Sequence, residues 1–394
     1  MSTETVQLEQ QAGAGERISL VKIRQILKYA CKIGRPAFIY GKPGIGKSSI
    51  VRAVSQELGI GFIDLRLSQI LPEDLRGFPK INGVRERQKI VSEQDLEGCL
   101  SEGWHFLGTL PSGKVVVQIE DEAGEKTRWI RSEFLPTSGR GILFLDELPN
   151  AEPSKQNAAL QLVLDRKLGN YVLPEGWLVM AAGNGAEDRS HVFELSSALN
   201  NRFINIDFPI PTFEEWFEWG AAKIHPGIFG FLKLKPSMMF KFEPKAKERA
   251  WPSLRTWEYA SDLFKASSND PSVVRFAVGE GAGIEFEGFW NLRSRMPDPD
   301  KVFQDPERAE IPDDLSLQHL MAAMVAERAM QKKDPKTVDA ACAIISKLPP
   351  ELGMMSIKMI VSAKGLTELV FKSRHWKQSL APRWGKYLLS ANQQ

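Results

Sequence analysis

The chain has 394 residues, 25% charged, 43% hydrophobic and 9% aromatic, the make-up of an ordinary soluble globular protein. That excludes collagen-like and wholly disordered chains, and the length suggests about two to three domains. Fifty-one Lys and Arg against 49 Asp and Glu leave a formal net charge of +2, so charge alone predicts no sequence-independent grip on nucleic acid.

Residues 1–17 are polar and read as a flexible tail without the apolar core of a secretory signal. Cys31, Cys99 and Cys342 are scattered, which gives no disulfide framework or zinc pattern and fits a reducing cytoplasm. No apolar run reaches the roughly 18 residues that a membrane span needs. From Ile18 to Ile33 apolar residues recur at helical spacing, and Gly34 and Pro36 close the helix. Ala37 to Tyr40 then reads as a short buried strand, Ser48 to Leu58 as a helix and Gly61 to Leu67 as a second strand. Three more strands follow, at Gly141–Leu145, Trp177–Ala182 and Phe203–Phe208, with a helix at Lys155–Leu164. Short apolar strands alternating with helices predict an α/β fold, a parallel sheet with helices on both faces.

Between Pro79 and Trp129 the alternation stops. A helical stretch at Glu93–Leu100 leads into an expected hairpin, Trp104–Thr109 and Lys114–Ile119, turning at Pro111-Ser112-Gly113. We read this stretch, about residues 80–128, as an inserted small element. A shorter hairpin is expected at 166–174, with Gly169-Asn170 as its turn. Past Pro211 only helices are expected: Phe213–Ala222, Trp251–Ser267 and Val273–Gly281, then Leu315–Lys332, Thr337–Leu348 and Ile357–Lys364. A proline-rich acidic linker lies between, from Met296 to Pro312.

Gly41-Lys42-Pro43-Gly44-Ile45-Gly46-Lys47-Ser48-Ser49 follows a strand and opens a helix, the setting of a phosphate-binding loop. Its glycines let backbone N–H groups turn toward phosphates, and the helix N-terminus adds partial positive charge. Lys47 is placed for the β and γ phosphates and Ser48 for Mg²⁺. Asp146 and Glu147 end the strand Ile142–Leu145. They are candidates for holding magnesium through water and for polarising the attacking water. Asn184 ends the next strand and is a candidate for orienting that water.

These motifs, followed by Leu199-Asn200-Asn201-Arg202-Phe203, resemble in their order the AAA+ ATPases, specifically the MoxR-like branch, over about residues 18 to 300. The resemblance implies an AAA+ core over 18–211, a helical lid over 212–300, and a linker with a helical extension over 301–394. It implies sensor 1 at Asn184, an arginine finger at Arg202 and sensor 2 at Arg255, in Trp251-Pro252-Ser253-Leu254-Arg255. It also implies ATP and Mg²⁺, a hexameric ring, and chaperone-like remodelling of a protein partner, notably one with a von Willebrand factor A domain. Trp104, His105 and Phe106 of the insert are candidates for client contact. Asp188-Arg189-Ser190 resembles the McrB-type GTPases, and the alternative function is a nucleotide-driven motor serving a nucleic-acid-processing partner. Charge balance and the lack of a DNA-binding motif disfavour that alternative.

Overall fold

The computed structural model describes residues 17–67, 69, 78–81, 85–102, 104–109, 112–121, 127–130, 134–168, 171–184, 195, 197–243 and 249–385. Helix α1 (Leu20–Ile33) starts at Ser19, whose side chain accepts from the Lys22 amide, and turns Ile23, Leu27 and Ala30 inward. Strand β1 (Ala37–Tyr40) follows, then α2 (Lys47–Glu57) and β2 (Gly61–Arg66).

The main sheet is completed by β8 (Arg140–Asp146), β11 (Gly176–Gly183) and β12 (Ile204–Asp207). Its order is β12-β1-β11-β8-β2, and every neighbouring pair is parallel. Successive side chains of a strand point to opposite faces, and both faces here are apolar. Phe38, Leu143, Leu145, Val179 and Ala181 face one layer, which Ala158, Ala159 and Leu162 of α4 (Pro153–Asp165) cover. Ile39, Ile142, Phe144, Met180 and Ala182 face the other, under α1 and α2. The near-continuous apolar runs of the sequence are strands buried on two sides. The predicted fold class is the one observed.

Between β2 and β8 lie β3 (Phe78–Ile81), β4 (Arg85–Val91), α3 (Leu96–Ser101), β5 (His105–Thr109), β6 (Val115–Asp121) and β7 (Thr127–Ile130). The expected β5–β6 hairpin is present, and two features go beyond it. Strand β4 joins β6 to make an antiparallel sheet β4-β6-β5, and β3 pairs with β7. The charged run of β4, with no apolar residue before Ile90, hides its strand character. The core of this insert is Cys99, Val115 and Val117. The second hairpin pairs β9 (Lys167–Leu168) with β10 (Tyr171–Val172); its expected turn at Gly169-Asn170 lies outside the described residues.

The C-terminal half is helical: α5 (Ser197–Asn200) precedes β12, and α6 (Phe213–Gly220), α7 (Pro226–Leu234), α8 (Leu254–Ala266), α9 (Arg275–Val278) and α10 (Glu280–Asn291) come after it. Next are α11 (Pro299–Gln304), α12 (Leu315–Lys332), α13 (Pro335–Lys347), α14 (Pro350–Ser362) and α15 (Thr367–Lys372). The expected helix Val273–Gly281 is in fact a 3₁₀ turn, Pro271–Val274, then α9, a break at Gly279 and α10. Helix α7 has no polar stripe for a periodic reading to detect, since Pro226 through Leu232 are all buried. The linker expected at 296–312 contains α11 and a 3₁₀ turn at Pro306–Arg308. Lys347 pins it by donating to the carbonyls of Pro306 (3.0 Å) and Ala309 (3.2 Å). One apolar cluster runs from Trp216 to Trp384, with Phe231, Trp257, Phe264 and Phe286 at its centre. Among the described residues no helix is long and apolar enough to cross a membrane.

Candidate functional site

Strand β1 delivers the chain into the loop Gly41–Gly46 at the C-terminal edge of the sheet, beside the ends of β8 and β11. The Gly41 amide donates to the carbonyl of Gly183 at 3.2 Å, fixing the loop against β11. Gly44 and Gly46 have φ of +75° and +97°, left-handed conformations that glycine adopts without a steric penalty. Gly46 is the N-cap of α2, so the free N–H groups of that helix face the loop. Among the remaining loop residues, Lys42 and Ser49 are exposed and Ile45 is buried in the sheet core, while Pro43 and Ser48 are half-buried.

Lys47 lies across this loop. Its ammonium donates to the carbonyls of Gly41 (2.6 Å) and Lys42 (3.0 Å) and to Asn184 Oδ1 (2.8 Å). Two residues far apart in sequence, one predicted for phosphate and one for water, are thereby in direct contact. Gly183, beside Asn184, lets β11 pass close to the turn after β8. A Cβ there would come within 2.4 Å of the Pro149 ring, so a side chain would push apart β11 and the turn after β8.

Asp146 ends β8, with one carboxylate oxygen accepting from the Glu147 amide at 3.0 Å. Burial pushes its carboxyl above the ordinary aspartate range. The Glu147 amide and Lys47 pull it back, while the nearby Asp64 and Glu147 carboxylates push it further up. Glu147 has φ +57° and ψ +32°, an uncommon conformation for a residue with a side chain and one that clusters at functional sites. It turns the chain sharply out of the strand into the 3₁₀ turn Leu148–Asn150.

Arg255 sits in the first turn of α8, capped by Ser253 and Thr256. Its amide donates to the Gly44 carbonyl at 3.2 Å, and Ser253 Oγ is 2.9 Å from where a Gly44 Cβ would be. The start of α8 is therefore seated on the phosphate-loop segment, with the Arg255 side chain exposed. Arg202 is set apart from this group. It is exposed just before β12, the edge strand, and no carboxylate among the described residues pairs with it. Its surroundings are ordered by Tyr40, whose hydroxyl donates to Asn200 Oδ1 at 2.8 Å. Of the insert candidates, His105 and Phe106 are exposed, while Trp104 is half-buried under Lys89, whose ammonium is 4.2 Å from the ring centroid. Arg189 lies outside the described residues. Asp64 on β2 went unread in the sequence; an acidic residue in a strand carries no motif, and only the sheet register brings it near Asp146.

A nucleotide-loop sheet of this order with acidic and polar strand ends defines a P-loop ATPase class. Residues 37–209 match the family described as ATPase family associated with various cellular activities (AAA), so the chain carries an AAA-family ATPase domain and is an ATP-hydrolysing enzyme. Among solved structures it is similar to NtrX from Brucella abortus, at 12% identity and a TM-score of 0.37, covering 90% of this chain and 73% of that one. A candidate ATPase from Cytophaga hutchinsonii gives 16% and 0.31, covering 84% and 78%. The RuvB Holliday junction branch migration motor of Thermotoga maritima gives 14% and 0.31, covering 80% and 83%. Likenesses this distant carry no functional information. No curated protein matches the sequence.

Proposed function

We propose that the protein is a MoxR-like, magnesium-dependent AAA+ ATPase of the cytoplasm, working as a hexameric ring to remodel or activate a protein partner carrying a von Willebrand factor A domain. The observation that carries the mechanism is the convergence at the phosphate loop. Lys47 touches Asn184 at 2.8 Å on one side, and the Arg255 amide holds Gly44 on the other. A triphosphate in the loop takes the place of the carbonyls that Lys47 now satisfies, so its charge replaces neutral acceptors with anionic ones. Asn184 is then positioned to hold the attacking water, and Glu147 to accept hydrogen bonds from it and draw off its proton. Arg255 reports the lid position, and exposed Arg202 acts on the nucleotide of a neighbouring subunit.

Ser48 would hold the ion through its hydroxyl and Asp146 through water with its carboxylate, both hard oxygen donors. That set suits Mg²⁺, which is bound by few protein ligands and keeps its waters. Between these residues a magnesium ion would supply neutralisation of charge on the β and γ phosphates. The insert, joined through β3 and β7 and holding its own small core, is suited to partner contact. The test is capture of partners with Glu147→Gln in the presence of ATP. A von Willebrand factor A protein held by this variant and released by Lys47→Ala supports the proposal; a nuclease or nucleic acid in its place overturns the partner assignment.

A further inference from the structure

Gln156, the fourth residue of α4, is buried at 7% exposure. Its side-chain nitrogen donates back along the chain, to the carbonyls of Ala151 (3.1 Å) and Pro149 (3.5 Å), and both bonds are buried. An amide nitrogen carries two N–H groups, so one side chain serves both acceptors. An apolar side chain in its place leaves both carbonyls without that donor, which is costly for a buried backbone.

The segment held in this way is the turn that leaves Glu147. The Asn150 amide donates to the Glu147 carbonyl at 2.9 Å and the Ala151 amide to the Leu148 carbonyl at 3.2 Å. Ala151 is therefore tied to the turn through its N–H and to Gln156 through its C=O. The turn is also confined by β11, where Pro149 lies against Gly183, the residue before Asn184. Glu147, at the head of the turn, has φ +57° and ψ +32°. A residue with a side chain keeps such a conformation only where its surroundings over-determine it. Gln156 supplies part of that restraint from a rigid element, since Ala158, Ala159 and Leu162 seat α4 on the sheet.

We propose that Gln156 is a positioning residue for Glu147: its amide clamps the turn after β8 and so holds the carboxylate where it meets the attacking water. The inference rests on the reading of Glu147 as the group that draws off that water's proton. Without the clamp the turn shifts to find other donors, and the backbone of Glu147 moves with it. Displacing a reacting group by about 1 Å costs about 10²-fold in rate at most.

The test is Gln156→Met in the full chain, a change that keeps the length of the side chain and removes the donor. Turnover at saturating ATP falls about tenfold. Affinity for a non-hydrolysable ATP analogue stays within about twofold of wild type, because the clamp acts on the proton acceptor and not on the phosphate loop; this also shows that the variant is folded. The decisive readout is the same substitution made on top of Glu147→Gln, followed by single-turnover phosphate release. A glutamine cannot take the proton wherever it stands, so Gln156→Met then changes the rate by less than about twofold. A merely structural role predicts the same fractional loss in both backgrounds, and that result overturns the inference, as does wild-type turnover in Gln156→Met. If Gln156→Met does not fold, a crystal structure of the wild-type protein with ADP, Mg²⁺ and aluminium fluoride decides. Glu147 on the water in line with the fluoride, with the Gln156 amide still on the Ala151 carbonyl, supports the inference. An amide that has left both carbonyls while Glu147 holds the water refutes it. Wild-type turnover in Glu147→Gln alone removes the base assignment and this inference with it, an outcome distinct from equal loss in both backgrounds.

Discussion

Strands β8 and β6 are each seven residues long, and they are held in place by different means. In β8, Gly141 through Leu145 are all buried, and alternate side chains enter two separate apolar layers. In β6 the buried anchors are Val115 and Val117, which with Cys99 form a separate cluster among the described residues. The main sheet is thus fixed by burial across the whole domain, and the insert by local pairing around a few side chains. Such a contrast separates a rigid frame, which holds reacting groups to fractions of an ångström, from an appended surface free to vary.

The sharpest way to break this contrast is to compare turnover after changes at the frame's rim and in the insert. Arg202→Ala is expected to lower ATP turnover by about 10³-fold or more, as loss of an arginine finger does. Replacing Val84–Thr127 by a Gly/Ser linker is expected to leave basal turnover within about twofold, since a connection of this kind adds little closure entropy. Because Arg202 stands just before an edge strand, mixing Arg202→Ala with Glu147→Gln should restore partial activity, measured as phosphate release from mixed rings. No rescue in rings shown to be mixed removes the intersubunit role.

Stability should follow the same division. Phe144 is fully buried between α2 and the sheet, so Phe144→Ala is expected to cost about 3–5 kcal/mol by urea unfolding. Linker replacement of the insert should shift the unfolding of the ATPase domain far less than that. A comparable loss on deleting the insert would show that it belongs to the frame.

The same difference explains what the sequence made legible. The five strands of the main sheet could be read because burial on two sides writes long apolar runs, and α2 and α4 between them by their helical spacing. The phosphate loop and the Asp146-Glu147 pair could be read because the chemistry fixes residue types at fixed spacing. Strand β4, with Arg85, Glu86, Arg87 and Lys89, writes no such run. Nor does α7, whose apolar residues point all round. The Lys47–Asn184 contact and the approach of Arg255 to Gly44 are tertiary facts, set by strand order and by how α8 docks. Asp64 illustrates the limit: its nearness to Asp146 arises from register with β8, which no local pattern encodes.

A smaller effect is expected at Glu147, the carboxylate proposed to act on the attacking water. Glu147→Gln keeps shape and hydrogen bonding but cannot take the proton from water, so turnover should fall about 10²-fold while nucleotide binding persists in equilibrium titration. Lys47→Ala should show the reverse pattern, with weakened binding as the leading defect. If Glu147→Gln turns over at the wild-type rate, another group is the base.

The smallest expected effect lies at Asp146 in the nucleotide-free protein. Burial, with the Asp64 carboxylate adding to it, holds the Asp146 carboxyl above its unfolded value. Between the unfolded and folded values the folded chain binds more protons. Folding is therefore relatively favoured on the acid side, and that advantage is lost as pH rises through the folded value. At neutral pH the ionised carboxylate is thus a net cost to the empty site. Asp146→Asn keeps the shape and removes that charge, so it should raise Tm at pH 7 by on the order of 1–2 °C, an advantage that shrinks toward pH 4. Saturating Mg²⁺ and ATP analogue should invert the order, because the wild-type carboxylate then faces the ion and ligand binding adds to its stability. A wild-type protein more stable than Asp146→Asn in the absence of nucleotide at neutral pH would show that Lys47 and the Glu147 amide outweigh burial at this strand end.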